Sequence, residues 1–517
     1  MDRRRFLQGM VVATAGVGGV PLLAEMDEAD APRPNSSLTA PASINGAEIN
    51  TEGHTLLCSF TRGSEKWKVY EDLRTREGAI VFISTSGVGR VLTKSAEATF
   101  AEDNPPYLGL NLKDIGMAGA DLLADRLLKN GDPDPEEVKS AAPPHGSAPL
   151  SHPYERVGWD TFVGTRECLD TMPVYPSGNT RTYHPVQSFP ALNGELARKR
   201  YEGLLGGWLP AVRKVMPVSD TEHYEVVVFG DVTAHDKFIV QTWHRTAHIE
   251  NGKIVKVEYG HSYPAFPPAR QDPDPEEFYR SLLEFTLYWE KQVKDVAPAS
   301  LPHKAWVDMS TYAFVKEQMV RPGGVYPKYG AVDRDYYGSE YDGFQDIFTS
   351  ALYTNLEWGR FEMAAQVLDN YYSDFVDAKG MINMRGPETA QFGLTLSLLA
   401  RYYYYTGDRT LLLKHREKIE ATATVLTQLH DESLKLPHED PGYGLIHGWS
   451  ESDSCLAPQP MIWWQPYFNN SAFAARGLKD IARAWKEINR GKTDAAVGKM
   501  SDEWLMHSKK LEDAVVT

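Results

Sequence analysis

Two carboxylates, Glu451 and Asp453, stand one residue apart in a short run that also holds His447, Trp449, Ser450 and Ser452, with Trp463 and Trp464 shortly after. A carboxylic acid held against indole rings loses hydration, so its pKa rises and it keeps its proton near neutral pH. Such a group suits general-acid work, and the aromatic faces beside it suit stacking on a sugar ring. The plainer alternative is that the serines and Asp453 form turns and cap the next helix, while the tryptophans fill a core. Glu451 is the preferred acid of the pair. A second carboxylate is available upstream at Glu340, Asp342 or Asp346, ahead of a helical pattern. Arg385 suits holding substrate hydroxyls or a carboxylate, and Glu388 suits sugar binding or capping of the helix that follows. Hydrolysis of a glycoside needs two carboxylates whose separation sets the stereochemistry.

Those residues lie among helices. Apolar residues recur at helical spacing over 343–357, 361–375, 389–405, 409–429 and 472–488, with Gly359 marking the first turn. Thr406-Gly407-Asp408 combines a C-cap glycine with an N-cap aspartate, and such tight links force antiparallel helix pairs. The long segment 431–468 interrupts the rhythm and carries the acids and tryptophans. Residues 276–296 form a further amphipathic helix with Phe278, Leu282, Leu283, Phe285 and Trp289, and 495–515 forms a more polar last one.

Before residue 265 the texture is that of strands, expected over 55–61, 67–71, 79–85, 224–229, 238–244 and 254–259. Asn251-Gly252 is a strong hairpin turn signal ahead of the last of these. Helical interludes are expected at 112–129 and 194–215, and 131–153 is a loop rich in Pro, Gly and acids. The expected organisation is an N-terminal β-sandwich-like domain over 54–265, a proline-rich linker at 266–275, and a helical domain over 276–517, preceded by a flexible leader at 25–53.

The net charge of −16 argues against nucleic acid or an anionic membrane as partner. Three cysteines, Cys58, Cys168 and Cys455, are too few for a disulfide framework; one bridge, Cys58 with Cys168, is compatible with an oxidising compartment. No nucleotide motif is present, so no cofactor is expected. Asp333 and Asp335 begin a calcium-loop pattern that lacks its final acid, and 438–440 is a polar turn rather than a metal motif.

Arg3-Arg4-Arg5-Phe6-Leu7-Gln8, followed by a short and weakly apolar stretch over 9–23, resembles a twin-arginine export signal. That resemblance implies cleavage after about residue 24, no stable membrane anchor, and export of the folded chain by the twin-arginine machinery to the periplasm or medium.

Two passages carry a second resemblance. Tyr341-Asp342 with Asp346 and the Gly359 turn, and the helix from Gln391 ending in Tyr402, Thr406, Gly407 and Asp408, are similar to motifs of the six-hairpin (α/α)6 glycosidase superfamily. The resemblance covers about 275–490 and implies an (α/α) toroid after the β domain. It places the general acid in the loop between the fifth and sixth barrel helices, here 431–468, and so on Glu451 or Asp453. The helices present fall short of a full barrel, so an incomplete, open toroid or a shortened form of a longer enzyme is expected.

The resulting expectation is an exported glycoside hydrolase acting on an oligo- or polysaccharide, by inversion, with Glu451 as acid. Asp342, Arg385, Glu388, Trp449, Trp463 and Trp464 are its expected binding residues. A polysaccharide lyase acting on uronates stays open, because Tyr443, His438 and His447 neighbour the acid loop. A non-catalytic glycan-binding protein also stays open.

Overall fold

The turn at Asn251-Gly252 forms as its residue types require, with φ of 51° and 70°, and it joins two long antiparallel strands, Thr242–Glu250 and Lys253–His261. In the computed structural model the described residues are 54–94, 97–98, 106–133, 161–168, 171–174, 178–180, 201–233, 240–262, 274–321, 324–325, 327, 345–382, 388–449, 464–490 and 494–516. All of them belong to one compact unit, Leu38–Thr517.

A four-stranded antiparallel sheet runs in chain order through β1 (Thr55–Arg62), β2 (Glu65–Glu71), β3 (Ala79–Ser84) and β4 (Gly89–Thr93). A six-stranded sheet contains β5 (Glu97–Ala98), β10 (Tyr201–Leu204), β11 (Val212–Pro217), β12 (Glu222–Gly230), β13 (Thr242–Glu250) and β14 (Lys253–His261), with β5 and β14 at its edges. Two short ladders lie between them in the chain: β6 (Pro106–Tyr107) with β7 (Leu110–Asn111), and β8 (Thr161–Val163) with β9 (Met172–Val174). The helices are α1 (Leu112–Met117), α2 (Leu122–Asn130), α3 (Pro275–Gln292), α4 (Lys304–Val320), α5 (Gln345–Glu357), α6 (Phe361–Asp374), α7 (Thr389–Thr406), α8 (Thr410–Lys414), α9 (Arg416–Ser433), α10 (Phe468–Ile488) and α11 (Ala495–Val516). Mixed β then α is therefore the class. No helix among the described residues is long and apolar enough to cross a membrane.

Several expectations need correction: the strand expected over 238–244 runs instead from Thr242 to Glu250, and the helix expected over 112–129 is two, α1 and α2, parted at residues 118–121. The helix expected over 194–215 is replaced, where described, by β10 and β11 around a single 3-10 turn. Gly206 and Gly207 take φ of 67° and 82° there, Pro210 follows, and Val212 and Val215 favour the strand. Cys58 and Cys168 are not joined: the Cys58 thiol instead faces the Pro275 carbonyl at 3.8 Å. Burial pushes that thiol up to about 12, with Glu276 and Asp274 adding to the effect.

Apolar burial divides the chain at a different place from its secondary structure. Phe60, Trp67, Val69, Ile80 and Phe82 of the first sheet meet Val227 and Phe229 of the second, and α3 closes this core with Phe278, Leu282, Leu283, Phe285 and Trp289. Val315 and Met319 of α4 join it. A capping box at Asp274 starts α3: Glu277 N–H donates to the Asp274 carboxylate at 2.8 Å, and the Glu277 carboxylate accepts from Asp274 N–H at 3.3 Å. The opposite face of the six-stranded sheet is covered by Val163, Met172 and Val174. Helices α5 to α11 have a core of their own, centred on α7, whose Leu396, Leu398, Leu399 and Ala400 are buried.

Candidate functional site

Three of the helices run parallel, and their N-termini therefore share one end of the bundle. Along α7 and α10 the contacts rise together: Gly393 meets Phe473, and the Ser397 hydroxyl donates to Asp480 at 2.6 Å. Along α5 and α7 they do the same: Tyr353 faces Ser397, and one turn on in each helix Glu357 accepts a hydrogen bond from Arg401. Glycine makes the α7–α10 approach close. A Cβ on Gly393 would sit 2.1 Å from the Phe473 carbonyl oxygen, and one on Gly477 would sit 2.2 Å from that of Gly393.

At this shared end the chain before α7 meets the chain before α10. Glu388 pairs with Trp449 in a parallel bridge, and Thr389 N–H donates to the Trp449 carbonyl at 3.3 Å. Gly448 and Gln465 exchange both backbone hydrogen bonds, at 3.0 and 3.1 Å, so the segment between them begins and ends at one point. Trp449 and Trp464 meet edge to face, with centroids 4.7 Å apart and planes at 78°. Gly448 lets the loop lie on Thr389, where a Cβ would stand 2.0 Å from the hydroxyl. Deeper in, the Ser471 hydroxyl at the head of α10 accepts from Ile446 N–H at 2.8 Å. These contacts fix the start of the acid-bearing loop to two helix ends.

The structure thus brings together Glu388, Trp449 and Trp464 of the expected site. Both indoles are half-buried. Glu388 holds the N-cap position of α7 without a side-chain cap bond and is 2% exposed, so its carboxylate is buried in this conformation. Its negative charge adds to burial in pushing the Tyr371 phenol up. Asp346 lies in the first turn of α5, at the same end, but its side chain is outside the described residues. Glu451, Asp453, Asp342, Arg385 and Trp463 also lie outside them, as do the calcium-like segment from Asp333 and Cys455. In the segment that leads to the junction, His438 and Tyr443 meet with centroids 4.1 Å apart and planes tilted by 39°, and His447 lies against Gly442.

A second polar constellation had no sequence signal beyond charged residues set in strands. Between the two sheets, Arg245 donates to Glu71 at 2.6 and 3.1 Å, to the Tyr279 hydroxyl at 2.7 Å, and to Glu225. Arg213 donates to the same Glu225 at 2.6 and 3.0 Å, and Lys94 lies 3.3 Å from Glu71. All these side chains are buried. Burial pushes the Glu225 carboxyl up, but Arg213, Lys94 and Arg245 outweigh it and hold the group at about 2. The network is closed to solvent and suits bracing rather than chemistry.

Among the described residues no cluster of His, Cys, Asp and Glu could hold a metal ion. A groove of about 420 Å³ is lined by Arg476, Lys479, Asp480, Arg483 and Glu512 with their neighbours on α10 and α11, and another of about 480 Å³ by His54, Asp72 and residues 75–79; neither includes a residue of the Trp449 junction. No protein-family model matches the chain, and no curated protein matches it.

Proposed function

We propose that this chain is an exported carbohydrate-active enzyme that cleaves a glycosidic bond, with Glu451 as general acid. In this reading α5, α7 and α10 are inner helices, and α6, α9 and α11 outer helices, of an open (α/α) toroid. The observation that carries it is the junction of Glu388, Trp449 and Trp464 at the common N-terminal end of parallel helices. Chain length alone keeps the other candidates near that end. In sequence, Glu451 is two residues from Trp449, Arg385 is three from Glu388, and Asp342 is three from Gln345. The half-buried indole pair offers a sugar an aromatic surface and lowers the local polarity for a neighbouring acid. The general base that takes the proton of the attacking water is drawn from Glu340, Asp342 or Asp346, before or at the start of α5, with Arg385 orienting the substrate.

The test is mass spectrometry of products after the purified chain meets neutral and uronate-containing polysaccharides. The expected products gain one water per cut. Glu451→Gln is expected to lower kcat by about 10²–10⁴-fold, the range for loss of a general acid, with the chain still folded. Trp464→Ala is expected to raise KM more than it lowers kcat. Unsaturated products would make the chain a lyase, and binding without products would make it a glycan-binding protein.

A further inference from the structure

Helices α9 and α11 meet through two buried imidazoles. His430 of α9 and His507 of α11 place their Nδ1 atoms 2.8 Å apart, with the rings edge to face at 5.0 Å. They are 0% and 3% exposed. Two imidazole nitrogens on one tetrahedral zinc ion would stand about 3.3 Å apart, given Zn–N bonds of about 2.0–2.1 Å. The observed separation is that of a direct N–H···N hydrogen bond.

The surroundings assign the protons. Asp431 lies 4.0 Å from His507 Nε2 and favours a proton there. His507 Nδ1 then accepts from His430 Nδ1–H, leaving His430 Nε2 a bare lone pair. That atom is buried and has no hydrogen-bond partner among the described residues. The charged groups that act on the pair are Asp431 of α9 with Glu503 and Lys510 of α11. Asp431 and Glu503 favour a proton on His507, and Lys510 opposes one. Elsewhere α11 is held by two solvent-facing ion pairs to α10, Lys479 with Glu512 at 2.6 Å and Lys486 with Asp502 at 2.5 Å, by the buried Trp504 and Leu511, and by the Ser508 hydroxyl, which donates to the Ala475 carbonyl at 2.8 Å.

We propose that the His430–His507 pair is an acid-sensitive latch that holds α11 on the helical core and releases it when the imidazoles take up protons. One added proton must enter at His430 Nε2, where no acceptor waits. A second turns the Nδ1 contact into two donors facing each other. Opening α11 hydrates both rings and removes both penalties. The direction agrees with the electrostatics: burial first, then His507, lowers His430 from 6.5 to about 4, and burial also lowers His507. A base whose folded pKa is depressed binds protons better when released. Stability from this contact is therefore complete above pH 6.5 and is lost as pH falls towards 4.

Hydrogen exchange of the α11 amides in the full chain, corrected for the intrinsic pH dependence of exchange, tests this. With pKa values of 6.5 released and about 4 docked for His430, the opening constant is expected to rise roughly twenty-fold between pH 7 and pH 5. His430→Leu with His507→Leu replaces the pair by apolar side chains and is expected to flatten that response. Asp431→Asn changes an exposed side chain, cannot unfold the core, and is expected to steepen it by removing a group that favours the proton on His507. A corrected exchange rate that does not change with pH would overturn the proposal. So would an undiminished acid response in the folded double variant. If that variant does not fold, wild type and Asp431→Asn decide: equal acid responses overturn the latch.

Discussion

The β core and the helical core handle their polar groups in opposite ways. In the first, Glu71, Lys94, Arg213, Glu225, Arg245 and Tyr279 cross-link two sheets and α3 through buried charge. In the second, α7 and α10 touch backbone to backbone at Gly393 and Gly477, and the core around them is Leu, Ala and aromatic. A buried charge network demands fixed directions for every fork and carboxylate, so it locks the relative placement of the elements that contribute to it. Glycine contacts are less directional but tolerate no added atom. The difference explains why α3 behaves as part of the β region: Tyr279 ties it to Arg245 and Glu71, and its apolar face is in that core.

The largest expected effect comes from unbalancing the network. Glu225→Gln leaves Arg213 and Arg245 buried with too little negative charge, and breaking a buried pair in this way costs about 3–5 kcal/mol. Urea unfolding at pH 7 measures it. The folded pKa of Glu225, about 2, is below its ordinary 4.5. The gap between wild type and variant should therefore be complete above pH 4.5 and close as pH falls through 2. No gap at pH 7 would show that shape, which glutamine keeps, and not charge is what Glu225 supplies.

Gly393→Val breaks the other kind of contact. Its Cβ would meet the Phe473 carbonyl at 2.1 Å, so the two helices must part, at a cost of about 1–3 kcal/mol for overpacking. Because the same pair of helices carries Glu388 and the Trp449 loop at its N-terminal end, any glycosidase activity should fall more steeply than stability. Thermal melting and initial rates on the same sample separate the two. Equal stability with unchanged rates would mean that the α7–α10 spacing does not govern the junction.

Much of this architecture was legible in the residues, and what was hidden has common causes. Apolar spacing located α3, α5, α6, α7, α9, α10 and α11 closely, because each helix shows its buried stripe whatever it packs against. The same stripe does not name its partner: Phe278 and Leu282 are as compatible with a helical neighbour as with the sheet they meet. Residues 201–217 misled because Leu204, Leu205 and Leu209 fit a helical stripe, whereas Gly206-Gly207 at positive φ and Pro210 mark the turn that breaks it. Around the candidate site, Trp449 and Trp464 are close in sequence, so their meeting is a local matter. Glu388 with Trp449 is a backbone pairing across a long separation and leaves no mark on residue type. The latch histidines lie on two helices with ordinary spacing, and only packing reveals that they meet.

The smallest expected effect sharpens the comparison by keeping the chemistry and changing the surroundings. Arg62 and Glu284 join β1 to α3 with hydrogen bonds of 2.6 and 3.1 Å, as tight as those of Arg245 with Glu71. Their side chains are 41% and 32% exposed, however, whereas Arg245 and Glu71 are fully buried. In water the pair gains little over separate hydrated ions and is screened by salt, so Arg62→Ala should cost less than about 1 kcal/mol and less again at high ionic strength. A double-mutant cycle with Glu284→Ala measures the coupling. A value near that of the buried network would mean that geometry alone sets the strength of these bridges. A small one assigns the rigidity of the sheet–α3 joint to the dry interior around Arg245, where each carboxylate has no water to fall back on and must keep its guanidinium partner.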